Sequence, residues 1–132
     1  MKLLFHYHIP YTILEDGSIC TQSFFGVFID SLAKHFNQIV ILGYETIEQD
    51  LDVSNYQLHA TNIEFHSLGA HNGVPKRILR AKSFTKKANE LLINCDVFLV
   101  RAPTPMSLFL PSIKQQEKIV LYLVGDYIQG LD

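Results

Sequence analysis

Arg101 closes a run of four apolar residues, Val97-Phe98-Leu99-Val100, and Pro103 and Pro105 follow it. A short apolar run bounded by turn signals predicts a strand buried on both faces, as in a parallel sheet. Arg101 then falls at the carboxyl end of that strand, the edge where open parallel sheets take their ligands. A guanidinium there must meet a carboxylate, a ligand anion or water, because a buried unpaired charge is costly. Two readings stay open. Asp126, just past the next apolar run, falls on the same edge and suits a structural ion pair with Arg101. Alternatively Arg101 contacts an anionic substrate, a task its planar fork of donors fits.

His6 and His8 lie two apart and share a strand face. Imidazole suits zinc and similar ions, but the sequence places no third or fourth ligand beside them, so no metal is expected. His6 reads as a packed strand histidine. His8, nearer the carboxyl end, reads as a group lining a cleft. Gly17 and Ser18 follow the first strand at the amino end of the first helix, where backbone N–H groups can hold phosphate or sugar oxygens. No G-x-G-x-x-G fingerprint occurs, which disfavours a dinucleotide. Lys76, Arg77, Arg80, Lys82, Lys86 and Lys87 concentrate more than half of the chain's 11 basic residues in one helix. Such a helix is either a solvated face or a surface for anionic lipid or an anionic acceptor, with Arg77, Arg80, Lys86 and Lys87 as the contacts.

The elements that must position these groups alternate. Lys2–His8 predicts a first strand, and apolar residues from Phe24 to Phe36 recur at helical spacing over about 22–36. Ile39–Leu42 is a second strand, which makes a βαβ unit with a parallel pair. Residues 44–58 are acidic and polar and predict an irregular surface excursion. Thr61–Leu68 alternates polar and apolar, the pattern of a half-exposed strand near a sheet edge. A long helix is expected from Pro75 to about Ile93, then the strand 96–103, then a short helical segment interrupted by Pro111. Ile119–Val124, continuously apolar, predicts a fifth strand inside the sheet. The sum is an α/β fold: a Rossmann-like, doubly wound parallel sheet of about five strands ordered 3-2-1-4-5, with helices on both faces.

Bulk properties agree. The chain has 132 residues, 48% hydrophobic and 18% charged, which suits one globular α/β domain over residues 1–132. Its net charge of −2 offers no electrostatic reason to bind nucleic acid. Cys20, in a loop, and Cys95, before a buried strand, read as reduced thiols of a cytosolic protein. The first 14 residues lack the features of a signal peptide. No run reaches the roughly 18–20 apolar residues of a membrane span, so the expectation is a cytoplasmic protein, at most peripheral at the inner face of the membrane. Only eight residues follow Val124, where a Rossmann-like half hands over to another strand or domain; the chain reads as a piece of something larger.

With those residues in place, the chain resembles the N-terminal domain of a glycosyltransferase of the GT-B architecture, two facing Rossmann-like domains, and most nearly glycosyltransferase family 4. The likeness is carried by Lys2–His8, by Asp16-Gly17, Phe25-Gly26 and Leu32–Phe36 running into Ile39–Leu42, by Asp96–Pro103 and by Ile119–Val124. The resemblance implies an acceptor-side half whose partner domain, lying beyond this chain, binds most of the nucleotide-sugar donor. It implies a retaining sugar transfer to a glycan or lipid-linked acceptor, as in polysaccharide biosynthesis, with no cofactor besides the nucleotide-sugar co-substrate. Where many members carry a glycine pair, this chain has Gly17-Ser18. Where many carry a histidine two residues before a proline, at the sugar-transfer site, this chain has Arg101 before Pro103, the candidate catalytic group. His8, Gly17, Ser18, Arg101 and Asp126 would line one wall of the cleft. The rival expectation is a free-standing Rossmann- or flavodoxin-like binding or adaptor domain without catalysis.

Overall fold

The computed structural model describes residues 1–47, 54–71, 76 and 81–123. In chain order these form β1 (Lys2–His6), β2 (Thr12–Ile13), β3 (Ile19–Thr21), α1 (Ser23–Ala33), β4 (Gln38–Glu45), β5 (Tyr56–Gln57), β6 (Ile63–Ala70), α2 (Ala81–Leu92), β7 (Val97–Ala102), a 3-10 helix (Pro105–Ser112), a 3-10 turn (Gln116–Lys118) and β8 (Ile119–Leu123). Five strands make one all-parallel sheet in the order β6-β4-β1-β7-β8. This is an α/β architecture, consistent with a Rossmann-like fold. The numbering departs from 3-2-1-4-5 because three short strands, β2, β3 and β5, intervene and form a separate antiparallel sheet.

Alternation along the strands sorts side chains to the two faces. Leu3, Phe5, Ile39 and Ile41 pack under α1, which lays down Phe25, Ile29 and Ala33 at four-residue intervals. Leu4, Val40, Leu42, Phe98 and Val100 pack under α2 through Phe84, Ala88 and Leu92. Each such side chain, fully buried, contributes about 1.5–3 kcal/mol of transfer free energy. The helices also stop for identifiable reasons. The Asn62 amide donates to the carbonyls of Ala33 and Phe36, both at 3.0 Å, just past α1. The Lys118 ammonium donates to the Leu92 carbonyl at 2.9 Å, where a cation complements the end of α2.

Three expectations are corrected. The segment after β1 is a hairpin: β2 pairs with β3, and Gly17 takes φ of 87° in the turn, a conformation that favours glycine. Cys20 therefore lies in a strand. Part of the excursion 44–58 is also ordered, since Tyr56 and Gln57 pair with Thr21 and Cys20. Finally, β8 is an edge strand rather than an internal one. Among the described residues it pairs only with β7, and Val120, Leu121, Tyr122 and Leu123 are 49%, 54%, 48% and 65% exposed. A continuous apolar run reports two apolar faces, not two covered ones. Among the described residues no helix is long and apolar enough to cross a membrane.

Candidate functional site

At the carboxyl edge of the sheet, β7 and α1 bring a cation against aromatic rings. Val97, Leu99 and Arg101 alternate onto the α1 face. The Arg101 guanidinium carbon lies 4.6 Å from the Phe28 ring centroid, 4.9 Å from Tyr7 and 5.5 Å from Phe25. Phe25 and Phe28, three apart on α1, both turn toward the sheet; Tyr7 follows β1 directly. Each such cation–ring contact contributes about 0.5–2 kcal/mol, more as water is excluded. The rings hold the group without neutralising it. Among the described residues Arg101 has no ion-pair partner, and its buried Nε has no hydrogen-bond acceptor. Among the described residues, then, no carboxylate neutralises this charge.

Two further aromatic groups border this cluster. The Tyr122 ring lies 6.1 Å from Phe28, and Tyr122 pairs with Arg101 across β7 and β8. Tyr11 is fully buried beside Phe25 and Phe65, and its hydroxyl also lacks a hydrogen-bond partner. Burial pushes the Tyr11 pKa well up, while the Arg101 charge pulls the other way, so the phenol is neutral near pH 7. Tyr7, Tyr11, Phe25 and Phe28 were not singled out as site residues from sequence. Their signal was present, two phenylalanines at i and i+3 facing a strand that ends in arginine, but it reads equally as core.

The expected site residues separate in space. His8 is half-buried past the carboxyl end of β1, its ring edge-on to Tyr7 at 4.3 Å, beside the Arg101 cluster. His6 is structural: fully buried, it donates from Nδ1 to the Leu42 carbonyl at 2.7 Å and accepts at Nε2 from the Thr104 hydroxyl at 3.2 Å. Gly17 and Ser18 do not sit at the amino end of α1. They form the hairpin turn, with the Ser18 amide donating to Asp16, and line a cleft of about 440 Å³ with Gln57, Leu58 and His59. Asp126, Arg77 and Arg80 lie outside the described residues, and with them the Arg101–Asp126 ion pair. Of the basic helix, Lys86 is exposed and borders a cleft of about 360 Å³ with Phe109 and Ser112. Lys87 turns inward and donates to the Ser67 carbonyl, so it is not a free surface cation. No group of three His, Cys, Asp or Glu residues suited to a metal occurs among the described residues.

A second polar cluster ties the outer strap 54–60 to α1. Asp30 accepts from the Tyr56 hydroxyl at 2.6 Å and from the amides of His59 and Ala60 at 3.1 and 3.0 Å. Partial burial acts to raise the Asp30 pKa, but the hydrogen bonds from Tyr56, Ala60 and His59 outweigh it and hold the carboxyl below its ordinary value. A depressed folded-state pKa adds stability above the unfolded value, and that stability is lost as pH falls through the folded one. Asp30→Asn is therefore expected to lower stability at pH 7 by about 1 kcal/mol, given solvent screening. Thermal melts should show the gap between wild type and variant closing below about pH 4; a pH-independent gap would assign the loss to geometry instead of charge.

Set beside known proteins, the chain matches no family model, no curated protein and no solved structure.

Proposed function

We propose that this chain is the acceptor-binding half of a glycosyltransferase with two facing Rossmann-like domains, which moves a sugar from a nucleotide-sugar donor to a glycan or lipid-linked acceptor at the cytoplasmic side of a membrane. One observation carries the reading: an arginine at the carboxyl edge of a parallel sheet, walled by Tyr7, Phe25 and Phe28, with no ion-pair partner among the described residues. Flat rings beside a fork of donors suit a sugar ring that carries an anionic group. Arginine stays protonated at working pH, so Arg101 is not a general acid or base here. Its role is to bind and orient an anionic group of the acceptor. His8 borders the same edge and is the nearest group able to exchange a proton near pH 7.

The test is a transfer assay on the protein expressed from its whole reading frame, with a panel of common nucleotide sugars. At least one donor is expected to be transferred or hydrolysed. Arg101→Ala is expected to lower kcat/KM about 10–100-fold, the loss of one charge-assisted contact. Arg101→Lys should restore only part, because a point charge replaces a planar fork. Absence of both transfer and hydrolysis with every donor overturns the reading in favour of a binding or adaptor domain.

A further inference from the structure

We draw no further inference here: the strongest candidate, the cleft of about 440 Å³ between the hairpin turn at Asp16, Gly17 and Ser18 and the strap residues Gln57, Leu58 and His59, has the Asp16 carboxylate as the one fixed charge in its lining, the bond from the Ser18 amide accounts for that group as part of the turn, and nothing in the structure shows what would occupy the cleft.

Discussion

Replacing His6 with alanine is expected to cost about 3–5 kcal/mol of folding stability, a large part of what a domain of this size possesses. Two losses combine. The imidazole is fully buried between Tyr44 and Phe84, with ring centroids 6.0 and 5.1 Å away, so truncation opens a cavity that flanking aromatic rings cannot readily fill. It also strands two polar groups. A carbonyl only accepts, so Nδ1 carries the proton given to Leu42, and Nε2 is left to accept from Thr104. Without the ring both partners are buried without it, at about 1–3 kcal/mol each if no substitute is found. His6→Asn keeps a donor near the position of Nδ1 and should recover about 1 kcal/mol. Thr104 lies three residues past Arg101, so the same contact steadies the chain that leaves the candidate site. Urea unfolding measures the effect; a loss below about 1 kcal/mol would mean that the buried pair contributes nothing net.

The parallel core was legible because buried strands declare themselves. Leu3-Leu4-Phe5, Ile39–Leu42 and Val97–Val100 are uninterrupted apolar runs, and all three lie inside the sheet. The two helical faces were legible for the complementary reason, a period near 3.6 in Phe25, Ile29 and Ala33 and in Phe84, Ala88 and Leu92. The hairpin was not, since strands of two and three residues are too short to show a period, and only Gly17 hinted at the turn. That omission moved Gly17 and Ser18 on paper to the start of α1, whereas the hairpin carries them to a different cleft. For β8, composition could not say which faces are covered, because coverage depends on what lies beside the strand. Arg101 was placed at the sheet edge by its strand alone. That three rings hold it depends on where α1 lies across β1 and β7, a distance that no local pattern encodes.

Gly26→Ala is expected to lower stability by about 1–3 kcal/mol, a fall in Tm of roughly 4–12 °C. An exposed helical glycine would behave oppositely, gaining up to about 1 kcal/mol as alanine. The sign turns on Tyr56. A Cβ on Gly26 would stand 2.2 Å from Tyr56 Cδ1 and under 3.0 Å from two more ring atoms. The ring lies along α1 across Gly26, and its hydroxyl reaches Asp30 one turn further on. Relief must come from the strap or from the helix. The strap yields more easily: β5 is two residues long, whereas α1 is fixed by the fully buried Phe25 and Ile29. The variant should therefore lose the Tyr56–Asp30 bond and keep Phe25 and Phe28 on Arg101 while Tm falls. In a Tyr56→Ala background the clash is gone, and Gly26→Ala should stabilise by up to about 1 kcal/mol. Two melts and their two controls decide it. If alanine stabilises the wild type as well, the ring does not press on Gly26; if it destabilises both backgrounds, α1 has moved, and the aromatic wall around Arg101 has moved with it.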